Sequence, residues 1–338
     1  MIKPGPRNLI TDVPGLRVGQ AQDQKLCTGV TVLLAESPVH TVVDIRGGAP
    51  GTRETDALDP SSLGVKADAI VLSGGSAFGL DAASGVMGWL GAAGRGFEIR
   101  PGAPRVPIVP AAVLFDLTIG AALDPAANPY AQLGREAVAS ACSEFALGCH
   151  GAGLGAVAGA YKGGIGSASA MTVAGITVGA LAAVNSVGSP VIPGSNVFWA
   201  FALEQGAEYG GRRLGKAWPG SPLDLPEDGK GRISAGGNTT LAIMATDAIM
   251  SVAELKRVAI MASDGFARAL RPVHTMFDGD ILFALTSASM PLPGDRLREL
   301  TRLGSIGADC VARAIARAVY TAESVAGVKS YRDVFGVA

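Results

Sequence analysis

Gly236-Gly237-Asn238-Thr239-Thr240-Leu241-Ala242-Ile243-Met244-Ala245-Thr246 is the stretch on which the reading of this chain turns. Two glycines and an asparagine give way at once to a run of β-branched and apolar residues, the composition of a buried strand. Before it, residues 212–237 hold three prolines, many glycines and much of the local charge, which reads as a linker. A linker that ends directly on Thr-Thr admits two readings. One is an ordinary loop entering a strand. The other is self-cleavage, in which the Thr239 hydroxyl attacks the carbonyl of Asn238 and water resolves the resulting ester. Glycines just ahead lower the cost of the strained geometry this requires. Cleavage would leave Thr239 with a free α-amine, whose ordinary pKa near ~7.7–8.0 suits it to act as base for its own hydroxyl.

Downstream, Ser251-Val252-Ala253-Glu254 is a capping box that opens a helix to about Leu270, with Leu255, Val258, Met261, Ala262 and Phe266 on one face. A strand over 280–286 and a helix over 305–321 follow. Upstream, residues 28–35 and 41–45 read as two strands, 67–72 as a third and 80–90 as a helix. Residues 106–117 have extended character, 130–145 helical period, 171–184 the look of paired strands, and 196–205 that of an extended or helical apolar element. Between them, 151–170 is almost wholly Gly, Ala and Ser, interrupted by Tyr161 and Lys162, which predicts backbone passing close to something. Two helical layers and many buried strands predict a layered α/β sandwich forming one domain over 1–338.

The composition narrows the function. Hydrophobic residues make up 48% of the 338 and charged ones 17%, too apolar for a disordered chain. With 28 basic against 29 acidic residues there is no cationic stripe for nucleic acid. The uncharged stretch between Lys162 and Glu204 is broken by Gly163, Gly164, Asn185, Pro190 and Pro193, and its apolar runs fall short of the ~20 residues a membrane span needs. The first seven residues carry no apolar run, so a cytoplasmic protein is expected. Cys27, Cys142, Cys149 and Cys310 lack metal or disulfide spacing and read as small core residues. The three histidines, His40, His150 and His274, fall in no metal-ligand pattern, so neither metal nor cofactor is expected.

Rival chemistries lack their residues. Gly74-Gly75-Ser76-Ala77-Phe78-Gly79 follows a strand, yet Phe78 breaks a nucleophile elbow and no Lys-Ser/Thr completes a P-loop. A Ser-His-Asp triad has no local support around any of the histidines. His274 reads as a satisfied histidine at a strand end, with a structural role beside the nearby aspartates as the other reading. Asp278-Gly279-Asp280 taken alone is a hairpin turn, and it lacks the further ligands of an EF-hand loop.

Six motifs occur in order: Gly15-Leu-Arg-Val-Gly19, Gly47-Gly-Ala-Pro-Gly-Thr-Arg-Glu-Thr-Asp56, Leu72-Ser-Gly-Gly-Ser-Ala-Phe-Gly-Leu-Asp81, Val106-Pro-Ile-Val-Pro110, Gly237-Asn-Thr-Thr240 and Phe277-Asp-Gly-Asp280. Together they resemble the L-aminopeptidase/D-esterase family of N-terminal-nucleophile hydrolases, which includes β-peptidyl aminopeptidases and a nylon-oligomer hydrolase. The resemblance runs from about Asn8 to the last helix. It implies a four-layer αββα sandwich of the type shared with ornithine acetyltransferase, and cleavage at Asn238–Thr239 into an α chain (1–238) and a β chain (239–338). It also implies a homo-oligomer, taken as a tetramer of αβ units, and a small peptide, amino-acid amide or oligoamide as substrate.

Site residues follow from the same resemblance. Thr239 matches the nucleophile, Asn185 the side chain that holds the oxyanion, and Lys162 a lysine beside the nucleophile. Asp278 and Asp280 match an acidic pair that orients the nucleophile and its amine. Phe115 stands in a segment, Val113-Leu-Phe-Asp116, where several relatives carry a substrate-contacting Tyr, so no relative's substrate preference transfers directly. Two other functions remain open on this scaffold: an acyltransferase, if an amine replaces water as acceptor, and an unprocessed binding protein.

Overall fold

The computed structural model describes residues 2–63, 66–215 and 237–337. Eleven strands and six helices are found there: β1 (Leu16–Asp23), β2 (Thr28–Ile45), β3 (Thr52–Arg53), β4 (Ala67–Ser73), α1 (Asp81–Ala92), β5 (Ala111–Val113), α2 (Tyr130–Ala139), β6 (Val157–Ala158), β7 (Tyr161–Lys162), β8 (Gly164–Met171), β9 (Thr177–Asn185), β10 (Thr239–Ala248), α3 (Val252–Ala262), α4 (Asp264–Ala269), β11 (Ile281–Met290), α5 (Arg296–Thr321) and α6 (Tyr331–Phe335). The linker read at 212–237 falls largely on residues 216–236, which lie outside the described residues; 212–215 are irregular.

One ladder runs β3-β5-β4-β2-β11-β10-β9-β8, with β1 on the free side of β2. The long strand β2 serves two sheets. Its first half pairs β1 and β4, and its second half pairs β11 from His40↔Thr286 to Ile45↔Ile281. The two strands read from sequence are therefore one, its register shifting between Leu34 and Val39, where Glu36-Ser37-Pro38 is exposed and proline has no N–H for the ladder.

Side-chain alternation then builds the layers. Leu33, Ile70 and Leu72 from one sheet meet Leu181, Leu241, Ile243, Ile281 and Phe283 from the other in a core between the sheets. The opposite faces of β2 and β4 (Val30, Val32, Ala69, Val71) pack on α1 and α2. Ala242, Met244, Leu282 and Ala284, from the opposite faces of β10 and β11, pack on α3, α4 and α5. The result is helix, sheet, sheet, helix: the αββα sandwich.

The Gly/Ala/Ser segment explains itself against α5. A Cβ on Gly166 would lie 1.9 Å from the Ala314 carbonyl oxygen, so only glycine lets β8 approach that helix. The β8–β9 hairpin consequently starts at Gly164, ahead of the 171 expected. Helix α5 starts at Arg296 rather than 305, because Asp295 caps it through the Leu297 and Arg298 N–H groups and Leu300 and Leu303 continue its apolar stripe among charged neighbours. The Ser251 capping box forms as read, but the helix breaks at Ser263 into α3 and α4. Helix α2 stops at Ala139, and Cys142 turns back to pair with Val18. Only 111–113 of the extended 106–117 segment joins the sheet, and 196–205 contributes a 3-10 turn at Trp199–Leu203.

All four cysteines are free; Cys27 and Cys310 are buried, whereas Cys149 is half-buried and Cys142 exposed, so the core reading holds for two of them. No helix among the described residues is long and apolar enough to cross a membrane.

Candidate active site

Three strand ends converge. Thr239 opens β10 and is paired in antiparallel register with Asn185, the last residue of β9. β10 and β11 run parallel, so the residues preceding each lie side by side, and Asn238 bridges Asp278. Asp278-Gly279-Asp280 is therefore not a hairpin turn: it leads into a strand parallel to the one it faces. The topology alone brings Thr239, Asn185, Asp278 and Asp280 together.

The Thr239 hydroxyl lies against the carbonyl of the peptide bond before it, with Oγ1 donating to Asn238 O at 2.5 Å. The Gly279 N–H donates to that same oxygen at 2.9 Å. A Cβ on Gly279 would sit 2.6 Å from Thr239 Oγ1, so glycine is what leaves room for the hydroxyl. The amide of Asn185 is held at both ends: Oδ1 accepts from Val157 N at 2.9 Å, while Nδ2 donates to Phe115 O at 3.0 Å and Gly237 O at 3.4 Å. Its nitrogen thus faces the chain entering Thr239.

The two aspartates differ in what they hold. Asp280 Oδ1 accepts from the Thr240 N–H at 2.8 Å, and Oδ2 takes both the backbone N–H of His274 at 3.0 Å and its ring Nδ1 at 2.9 Å. A carboxylate only accepts, which assigns the proton to Nδ1. His274 adopts a left-handed φ of 54° to make this clasp. Asp278 accepts from Val187 N at 3.1 Å, Thr275 N at 3.1 Å and Thr275 Oγ1 at 2.6 Å. Burial first, and then the charge of Asp280, push the Asp278 carboxyl above the usual range. The glycine-rich segment after β2 braces this turn: Gly47 N bonds Asp280 O, Gly48 N bonds Thr275 O and Ala49 N bonds Asp278 O. That accounts for one motif with no chemistry of its own.

Lys162 is fully buried, and its ammonium donates to the carbonyls of Gly153 at 2.9 Å, Ala156 at 2.8 Å and Gly163 at 2.9 Å. These three bonds grip main chain, in the stretch that precedes β8 and the β9 strand ending at Asn185. Burial lowers its pKa to about 8. Phe115 is half-buried, and its carbonyl, rather than its ring, is what touches Asn185.

Sequence reasoning passed over two groups here, the Gly279 N–H and Asp116, and the clasp of His274 on Asp280 is the second of its two readings of that residue. Asp116 is buried, accepts from Thr28 Oγ1 at 2.7 Å and Gly75 N at 2.8 Å, and is pushed up to about 6 by burial. Its one signal in the sequence was an acid closing an apolar segment. Among the described residues, Asn238 Oδ1, Thr240 Oγ1 and His274 Nε2 are buried without a partner, a concentration of costly unpaired groups at one place. No group of three or more His, Cys, Asp or Glu is gathered there or elsewhere in the described residues as a metal site would require.

A hydroxyl at a strand end against an amide carbonyl, with an amide side chain and two carboxylates around it, defines an amide-bond hydrolase of the Ntn-hydrolase fold. The chain belongs to peptidase family S58, whose model matches residues 8–332. It is 43% identical to an uncharacterized aminopeptidase of Mycobacterium bovis, over 97% of this chain and 98% of the relative. A 6-aminohexanoate-oligomer endohydrolase of Kocuria sp. is 32% identical over 86% of this chain and 78% of its own length. Among solved structures, the L-aminopeptidase D-Ala-esterase/amidase of Ochrobactrum anthropi, described as a variant of the Ntn hydrolase fold, superposes with a TM-score of 0.70 at 21% identity, covering 99% of this chain and 96% of that one. A Burkholderia sp. beta-aminopeptidase gives 0.69 at 23% identity, covering 98% and 92%. At those identities the two structures speak for the fold.

Proposed function

We propose that this protein is a self-processing amide hydrolase that cleaves its own Asn238–Thr239 bond and then works through an acyl-Thr239 ester. The observation that carries the reading is the Thr239 hydroxyl resting against the Asn238 carbonyl, whose oxygen also receives the Gly279 N–H. In processing, Oγ1 gives up its proton as it adds to that carbonyl carbon, the C–N bond to Thr239 breaks, and the nitrogen takes up a proton and leaves as an amine. Water hydrolyses the ester, giving an α chain ending at Asn238 and a β chain starting at Thr239.

In turnover the new α-amine takes the proton of its own hydroxyl as Oγ1 attacks a substrate amide. Asn185 Nδ2, freed of the Gly237 carbonyl when the cut end withdraws, donates to the developing oxyanion. One such donor is worth about 2.7–4 kcal/mol. The amine returns the proton to the leaving nitrogen, and water releases the acid. Asp280, tied to the Thr240 N–H and to His274, fixes the main chain beside the nucleophile, while Asp278 fixes the turn that carries the Gly279 N–H.

The substrates we propose are small peptides, amino-acid amides or oligoamides, supported by the aminopeptidase and oligomer-endohydrolase names among the relatives, with Phe115 bordering the acyl site. A cytoplasmic homo-oligomer of αβ units, a tetramer in the simplest form, completes the proposal. Intact-mass spectrometry beside Thr239→Ala tests it: the parent should give two chains beginning at Met1 and Thr239, and the variant one. A Thr239→Ala protein still cut at that bond sinks the scheme.

A further inference from the structure

Two buried charges of opposite sign lie behind the main-chain groups that hold Asn185. Lys162 bonds the Ala156 carbonyl, and the other end of that same peptide, the Val157 N–H, donates to Asn185 Oδ1. Asp116 follows Phe115 directly, and the Phe115 carbonyl accepts from Asn185 Nδ2. The Asn185 amide is therefore strung between two main-chain groups, each anchored by one of these charges. The turn between them is pressed against both: a Cβ on Gly155 would sit 2.7 Å from the Asp116 Cβ, while the Gly153 and Ala156 carbonyls are bonded to Lys162. Asp116 in turn is pinned by Thr28 Oγ1, itself 3.0 Å from Tyr130 OH, and by the Gly75 N–H.

We propose that Lys162 and Asp116 are positioning residues that clamp the 153–157 turn and the Phe115 carbonyl, so that the Asn185 amide keeps one orientation with its N–H groups toward the nucleophile. An amide can flip end for end at little cost unless both ends are specified. Here one end meets a donor made stronger by the ammonium on its own peptide, and the other meets an acceptor fixed by the carboxylate beside it. On this account Lys162 acts through the main chain it holds, its ammonium bonded to three carbonyls, rather than as an acid or base in the reaction.

The inference rests on the proposed role of Asn185, so the test is a double-mutant cycle that separates the two. Turnover of an L-aminoacyl p-nitroanilide is measured for the parent, Asn185→Ala, Asp116→Asn and the double variant. Asparagine at 116 keeps the Gly75 N–H bond and the shape, but it loses the acceptor that Thr28 Oγ1 uses and the charge that faces Lys162, and it removes a carboxylate that burial pushes up to about 6. Asp116→Asn should therefore melt no lower than the parent at pH 8, while kcat falls about 5–50-fold with KM within about twofold. Asn185→Ala should lose about 10²–10³ in kcat, and adding Asp116→Asn to it should change nothing beyond about twofold.

An unchanged kcat in Asp116→Asn overturns the clamp, as does a full further loss on top of Asn185→Ala, or a lower melting point accompanying the loss. Asn185→Ala turning over at the parent rate instead removes the oxyanion role of Asn185 itself, and this inference with it. Lys162→Met should repeat the kcat pattern of Asp116→Asn. If it fails to fold, the cycle at Asp116 still decides.

Discussion

Two clusters of buried polar groups sit in this molecule, and they are built on opposite plans. On α5, Arg313 meets Glu208 through two bonds of 2.6 and 2.9 Å, and its remaining donors reach Asn8 Oδ1 at 2.8 Å and Ser169 O at 2.9 Å. Its charge is opposed and its hydrogens have acceptors, and it ties residue 8 to residue 313. At the start of β10, two carboxylates of like sign stand two residues apart, the Asp278 carboxyl is pushed up, and Asn238, Thr240 and His274 each keep a buried atom without a partner among the described residues. The first arrangement opposes the Arg313 charge it buries and so ties distant parts of the chain together. The second raises the energy of the fold locally, and folds tolerate such places chiefly where chemistry is done.

Substitutions can break or sharpen that contrast. The largest effect belongs to Thr239→Ala, which should eliminate chain cleavage by mass spectrometry and turnover by any amide assay, while leaving the melting temperature close to the parent's. Loss of folding instead would put Thr239 in the structural class. Next comes Glu208→Ala, which strands the Arg313 charge and should cost about 3–5 kcal/mol, or roughly 4–7 °C in a chain of this length. Its kcat, measured well below the transition, should stay within about twofold; a tenfold fall would erase the distinction drawn here.

The smallest effect is in pH. The folded pKa of Asp116, about 6, lies above its unfolded value near 3.8, so the folded state holds the extra proton in that window. Stability is therefore lost as pH rises from about 4 to about 6. Compared with Asp116→Asn, the parent should lose on the order of 1–3 kcal/mol between pH 4.5 and 7. Denaturant titrations of both proteins at the two pH values read this directly.

How legible each region was follows from how local its determinants are. Thr239 drew notice because a linker, a glycine pair and a strand are adjacent in sequence, though an ordinary loop entering a strand reads the same way; the capping box at Ser251 was plain because its two partners are three residues apart. Lys162 stood out as the lone charge in a Gly/Ala/Ser segment, but a role for it, as for Asn185, came only through the family resemblance, and the contacts that define them span loops no periodicity encodes. Asp116 showed only as an acid closing an apolar segment, because its partner Thr28 is 88 residues away. The unity of β2 could not be seen, since Pro38 looks like a break until β4 and β11 are known to flank it on either side. The first turns of α5 were hidden for a simpler reason, as charge density masked an apolar stripe of only two leucines.

Strand β10 lies between β9 and β11, with nearly every side chain buried. The proposed cut falls at its first residue, and so it divides the central ladder between two polypeptides without exposing either. Before the cut, reaching this fold is an event within one chain. Afterwards it is a meeting of two, with a rate and an apparent stability that depend on protein concentration. Processing would then act as a ratchet: the protein assembles once as a single thread, and after heat or denaturant has parted its two pieces, dilution alone should not restore it.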